Sequence, residues 1–298
     1  MKHYILAFLF AGSVLGASAQ QIHTSSLYEM QGGLFNPSLA GVDQKVTLGT
    51  TYRTQWSGID GSPKTSTVFG SVDLPQHQIG LGGYLYSDKT GPTSRTGATV
   101  AFAKHIETGK GGIFSLGLEA RFQQFSLDRA KLSSTLGADP ALGTSDNRSL
   151  FDAGFGLSYT GKHLQIGASV SQLVQSKLDF YTGNLTTTES ARLYRHYYFN
   201  ARYKWNVDNN TTITPHVLVT YLPNAPVDLQ AGFHVEHNEV FWWGVAMRKK
   251  QSFILSAGVN INKKFTVGYA FDIYNSPLSI YDAGSFAHEL VLRYNIMK

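Results

Sequence analysis

Cysteine is absent from all 298 residues. That removes disulfide cross-links, thiol nucleophiles, thiolate metal sites and a lipid-modified cysteine anchor. Charge is also scarce, at 15% Asp, Glu, Lys and Arg, against about 25% in ordinary soluble domains. Long apolar runs are missing: after the first 19 residues nothing approaches the roughly 18 consecutive apolar residues a membrane helix needs. No amphipathic helical pattern of useful length occurs either. Glycine (30), tyrosine (16) and phenylalanine (18) are abundant instead. Few charges with many aromatics and glycines suit a wall that faces lipid on one side and a crowded lumen on the other. The net charge of +5 raises the question of nucleic acid. The Lys and Arg are scattered, however, with no basic stripe interleaved with aromatics, so no nucleic-acid partner is expected.

The chain opens Met1-Lys2-His3, followed by an apolar stretch from Tyr4 to Leu15 and then Ala17-Ser18-Ala19. A basic start, a short apolar middle and an A-x-A site predict a secretory signal over 1–19, cleaved near Ala19. Residues 20–44 are polar and irregular, and are expected to be a periplasmic or lumen-plugging segment ahead of a barrel over 45–298. Strands are predicted at 45–56, 64–74, 78–87, 93–105, 112–125, 151–160, 164–174, 195–205, 211–222, 227–236, 240–248, 252–261, 265–273 and 285–296. Alternation is clearest late in the chain. Phe265, Val267, Tyr269, Phe271 and Ile273 oppose Thr266, Gly268, Ala270 and Asp272. A period of two, repeated this often, is a strand signal.

The connections point to a particular β architecture. The long ones, at 126–150, 175–194 and 274–284, are all odd-numbered, so an up-and-down meander places them on one rim. The short ones, at 75–77, 161–163, 206–210 and 262–264, fall on the other. Bacterial outer-membrane barrels sort their loops this way, with short turns toward the periplasm and long loops outside. The fold class expected is therefore all-β: a transmembrane up-and-down antiparallel barrel of about fourteen strands. Fourteen strands enclose more space than wall side chains fill, which gives the polar segment 20–44 a place to fold inward.

Arg53 and Gln55 share a face with Thr47, Gly49 and Thr51. They are expected to point into the lumen, since an arginine facing lipid at mid-depth costs about 2–4 kcal/mol. There they would either clamp a plug or partner segment, or join a structural network with inward acids such as Glu119 or Asp152. Trp56 is expected on the outer face as an interfacial anchor, and Trp205, Trp242 and Trp243 as girdle or wall residues. Asn36-Pro37 can start a turn. His234 and His237 stand on opposite faces of one strand, and no H-E-x-x-H is present, so no metal and no cofactor are expected. Gly80-Leu81-Gly82-Gly83 lacks the strand-to-helix context of a phosphate cradle. Ser158 and His196 could form a hydrolase pair on the lumen wall, but no G-x-S-x-G motif marks one.

Taken in order, several short motifs resemble one family. They are Asn36-Pro37-Ser38-Leu39-Ala40-Gly41, Tyr52-Arg53-Thr54-Gln55-Trp56, Gly61-Ser62-Pro63-Lys64-Thr65, Ser71-Val72-Asp73-Leu74-Pro75 and Gly82-Gly83. Asp88 with Gly91, Asp139-Pro140, His288-Glu289 and Arg293-Tyr294 follow. The chain resembles the PorP/SprF family of the type IX secretion and gliding-motility system of Bacteroidota-type bacteria. The resemblance implies a non-enzymatic protein in the outer membrane of a diderm bacterium, embedded in outer-membrane lipid. It implies partners of two kinds: the C-terminal domain of secreted cargo or a surface adhesin, and periplasmic ring or peptidoglycan-associated components. It also lifts Asn36 and Pro37 from a plain turn to a contact with the periplasmic machine. Arg53, Gln55 and Trp56 complete the expected partner-binding set. A passive or ligand-selective porin is the alternative function. A barrel hydrolase and a soluble β-adhesion module stand behind it.

Overall fold

The computed structural model describes residues 24–43, 45–109, 111–129, 131, 146–178, 192–223, 225–275 and 286–296. The expected signal 1–19, its cleavage site, and the Asp139-Pro140 motif lie outside the described residues. Fifteen strand segments follow one another: β1 (Val46–Gln55), β2 (Lys64–Leu74), β3 (Ile79–Thr90), β4 (Thr93–Thr108), β5 (Gly112–Leu127), β6 (Asp146–Thr160), β7 (Leu164–Ser171), β8 (His196–Tyr203), β9 (Trp205–Asn206), β10 (Thr211–Tyr221), β11 (Asp228–His237), β12 (Phe241–Arg248), β13 (Ser252–Ile261), β14 (Phe265–Tyr274) and β15 (Phe286–Ile296). The two residues of β9 continue β8 past a break at Lys204, whose backbone N–H turns to the His163 carbonyl at 2.7 Å. The wall therefore has fourteen staves. Each pairs antiparallel with the next, and β1 pairs with β15 from Val46↔Ile296 to Gln55↔Ala287, closing the ring.

Closure leaves no edge stave in the ring, as the hydrocarbon of a bilayer requires. The alternation sorts side chains as the sequence predicts: Leu48, Val68, Leu85, Val100, Leu118, Phe253 and Leu255 are exposed on the outer wall, while Thr51, Thr67, Thr99 and Gln123 are buried within. Two of the short connections are tight turns. Asn238 and Glu239, and likewise Asn262 and Lys263, take positive φ in consecutive pairs. Such pairs form the two-residue turn whose twist matches that of a hairpin. Lys263 reaches from one of these turns to Glu239 in the other at 2.6 Å, with both side chains exposed.

The staves are unequal. β4 and β5 have 16 residues, whereas β7, β8 and β12 have 8. At about 3.3 Å per residue, one side of the wall stands taller on the long-loop rim. β3 and β4 run on past their predicted ends and meet in the two-residue connection Gly91-Pro92.

Candidate functional site

Residues 24–43 lie inside the ring. Three short 3-10 turns, Tyr28–Met30, Gly32–Leu34 and Pro37–Leu39, carry the chain down through the lumen to β1. Its upper end is held by charge. Arg53 on β1 places Nη2 2.8 Å from Asp272 Oδ2 on β14 and Nη1 3.2 Å from Glu289 Oε2 on β15. Arg248 on β12 adds a second guanidinium 3.5 Å from Asp272. Two cations thus face two anions, all four almost wholly buried. The segment completes their coordination. Ser25 Oγ donates to Glu289 Oε1 at 2.6 Å, and the Ser26 N–H to Glu289 Oε2 at 2.7 Å. Ser26 Oγ donates to Asp272 Oδ1 at 2.6 Å and accepts from Arg53 Nη1 at 2.5 Å. Gln230 donates to the Ser26 carbonyl at 3.1 Å. A half-satisfied buried ionic group is costly, so each serine hydroxyl relieves a charge the wall alone leaves short of partners.

Below this clamp, Leu27 fills a socket of Trp242, Ile254, Ala270 and Val291 and is fully buried, a gain of about 1.5–3 kcal/mol. The Tyr28 hydroxyl stands 2.9 Å from His216 Nδ1. Phe35 packs edge-on against Tyr198, with ring centroids 5.7 Å apart.

The lower end is held by close approach of backbone. Asn36 caps its own turn, its Oδ1 accepting from the Ser38 N–H at 3.0 Å and the Ser38 hydroxyl at 2.7 Å. Its amide donates to the Leu157 carbonyl on β6 at 3.1 Å. Ser38 Oγ also reaches Ser158 Oγ at 2.8 Å. The wall beneath is glycine. A Cβ at Gly156 would stand 2.1 Å from Asn36 Oδ1, at Gly117 2.2 Å from the Ser38 nitrogen, and at Gly80 1.8 Å from the Ala40 carbonyl oxygen. That same carbonyl accepts from His105 Nε2 at 3.0 Å, while His105 Nδ1 lies 2.8 Å from the Ser115 hydroxyl. A carbonyl can only accept, which assigns the ring proton to Nε2.

The segment therefore spans the lumen. Its clamp sits on β14, β15 and β1, and its glycine seat on β3, β5, β6 and β7; β6 and β7 stand half a circumference from β14 and β15. Gly156→Leu is expected to expel the lower end, because no rotamer clears a Cβ placed 2.1 Å from Asn36 Oδ1. With no native cysteine, Ser38→Cys supplies a lone reporter thiol, and maleimide should modify it at least an order of magnitude faster in the Gly156→Leu background. Equal rates in the two backgrounds would contradict this seat.

The five residues singled out in the sequence divide as follows. Arg53 faces the lumen at the centre of the clamp, but with Asp272 and Glu289 as its acids. Glu119 instead pairs with Arg121 on its own strand at 2.7 Å, and Asp152 accepts from the Val174 N–H at 3.1 Å. Gln55 accepts from the Tyr274 hydroxyl at 3.3 Å. Asn36 and Pro37 are buried in the glycine seat and present no surface on either rim. Trp56 is not a lipid-facing anchor. Its φ of 51° breaks the alternation, and its ring packs 6.3 Å from that of Tyr274, whose hydroxyl meets Arg53. Trp242 is likewise inside, stacked 4.8 Å from His234, while Trp205 and Trp243 are exposed on the outer wall. Ser158 is engaged with Ser38, and His196 Nδ1 lies 2.9 Å from the Tyr194 carbonyl, so the structure does not bring the two together.

The model of the type IX secretion system membrane protein PorP/SprF matches residues 17–294. The chain belongs to the PorP/SprF family. A fourteen-stave barrel from this family is an outer-membrane protein. No curated protein matches the chain. Among solved structures, the Pseudomonas putida toluene transporter TodX shares 8% identity over 92% of this chain and 94% of its own, with a TM-score of 0.49. The CymD monoaromatic hydrocarbon channel shares 11% over 89% and 91%, at 0.48. The KdgM porin shares 7% over 85% and 100%, at 0.43. In this PorP/SprF protein, sequence reasoning missed Asp272, Glu289, Arg248 and the glycine seat. Asp272 stood on the polar face of its predicted strand, yet only the closed ring brings it and Glu289 to Arg53.

Proposed function

We propose that this PorP/SprF protein is a docking component of type IX secretion. In this reading the tall outer side and its loops hold the C-terminal domain of a cargo protein or surface adhesin. The short-turn rim engages periplasmic ring or peptidoglycan-associated components. Asn36, Pro37, Arg53, Gln55 and Trp56 then serve partners indirectly, by fixing the luminal segment that links the two rims. One observation carries the reading: the lumen is crossed from wall to wall by the chain's own residues 24–43, held by a charge-balanced clamp at one end and a glycine seat at the other. A passive porin gains nothing from such an obstruction, whereas a docking platform needs a rigid body and no conduit. The polar cavity beneath the segment supports a second reading, a channel gated by withdrawal of the plug.

Deleting the gene and profiling secreted and surface proteins tests the first reading. Cargo bearing the type IX C-terminal domain should be lost from the surface or medium, and surface motility should fall. Unchanged secretion and motility would end the proposal, and steady single-channel conductance of the purified protein would favour the channel.

A further inference from the structure

On the short-turn rim the lumen opens into a polar cavity of about 520 Å³, within the range of pockets that take ligands of several hundred daltons. Two arginines reach it from well-separated walls, Arg202 on β8 and Arg293 on β15. Arg202 has Asp43 at 3.5 Å, whose side chain is 60% exposed, and Glu29 further off. Among the described residues Arg293 has no carboxylate within 4 Å, though Asp43, Glu236 and Glu29 act on it from beyond, and its Nε is buried without a hydrogen-bond partner. Glu29 Oε2, His234 Nδ1 and Trp242 Nε1 are buried and unpartnered in the same way, and all three residues line this cavity. Four side chains of the lining thus each carry a polar atom that no described protein group satisfies, buried just behind the cavity surface.

The charge of the space is net positive. Lys45, Lys162 and Lys204 also line it. Of its acids, Glu239 is offset by Lys263 at 2.6 Å, which leaves two arginines and three lysines against Asp43, Glu236 and Glu29. Burial pushes the Glu29 carboxyl up to about 7, which weakens its opposition to the cations. What remains is a cationic pocket with low-dielectric walls, which concentrates anions from solution.

We propose that this cavity receives an anionic segment of polypeptide from the periplasm, with a carboxylate held between Arg202 and Arg293 and lysines at the mouth steering its approach. The peptide nature follows from the mixed bonding capacity. Beside the two arginines the lining offers acceptors, Asp43 and Glu236, and amides, Gln165 and Asn295, the set that pairs with main-chain N–H and carbonyl groups; a lone inorganic anion would use only the donors. The inference rests on the docking reading for the class of partner. It supplies what that reading lacks, a site and a chemistry.

The test uses the full chain in nanodiscs, where both rims are open. Thr214 lines the cavity, so Thr214→Cys places a lone thiol there. Its maleimide modification is followed against three probes: a ten-residue peptide alternating glutamate and glycine, the glutamine–glycine counterpart, and inorganic phosphate. The glutamate peptide should slow modification and the other two should not. Arg293→Gln and Arg202→Gln should each raise the half-protecting concentration at least tenfold, with the lysine variants in between. Heat-modifiable gel migration confirms that each variant is folded. Equal protection by the glutamine peptide or by phosphate, or arginine variants that bind like the parent, would overturn the proposal. Binding without a secretion defect on gene deletion would retire the docking reading and keep the site. A secretion defect without binding would do the reverse.

Discussion

Arg53→Leu is expected to lower the unfolding free energy of the refolded barrel by about 3–5 kcal/mol, the loss typical when one partner of a buried ion pair is removed. The size follows from what is left behind. Asp272 retains Arg248 at 3.5 Å, but Glu289 loses its one cation within 4 Å among the described residues and keeps only neutral donors from Ser25, Ser26 and Gln31. A carboxylate almost wholly shielded from water then carries its charge against the full desolvation penalty. Adding Glu289→Gln to Arg53→Leu should restore much of the loss, because the uncompensated charge goes with it. Denaturant titration of the heat-modifiable band measures both variants. A loss below 1 kcal/mol, or no recovery in the double variant, would show that the clamp is not what secures the upper lumen.

Deleting residues 24–40 is expected to have the larger functional effect. The wall should remain folded, since the two arginines and two acids of the clamp still face one another and water entering the emptied lumen takes the place of the segment's donors. The lumen, however, loses its obstruction from β14 and β15 across to β6 and β7. Fourteen staves enclose more than wall side chains fill. Solute permeation in proteoliposomes should therefore rise by at least an order of magnitude, with steady conductance in planar bilayers replacing a closed baseline. Equal permeation by the parent and the deletion would mean that the segment does not limit passage.

Much of the wall could be read in the sequence because its physics is local. Alternation, strand length and loop sorting each depend on neighbours along the chain, and the inward placement of Arg53 follows from period two alone. The same rule, applied to adjacent residues, separates Trp242 from Trp243. Grouping both as wall residues overlooked it. Trp56 failed for another reason: a single left-handed φ at the strand's end redirects the indole, and nothing in the flanking residues announces it. The clamp was out of reach as a set of partners. Which acid meets Arg53 depends on the register across the closing seam between β1 and β15, and that register is settled by the whole circumference. The glycine seat is a similar case. Gly80, Gly117 and Gly156 fall inside predicted strands with nothing to set them apart, and only their juxtaposition with Asn36, Ser38 and Ala40 gives them a purpose.

The hydrogen bond from Ser25 to Glu289 joins residues 264 positions apart. It cannot exist until the final stave has been delivered and laid against the first. Contacts of such sequence separation form late and slowly, so a nascent or truncated chain holds its leading residues loose. The serine pair thus registers, from within, that the ring has closed.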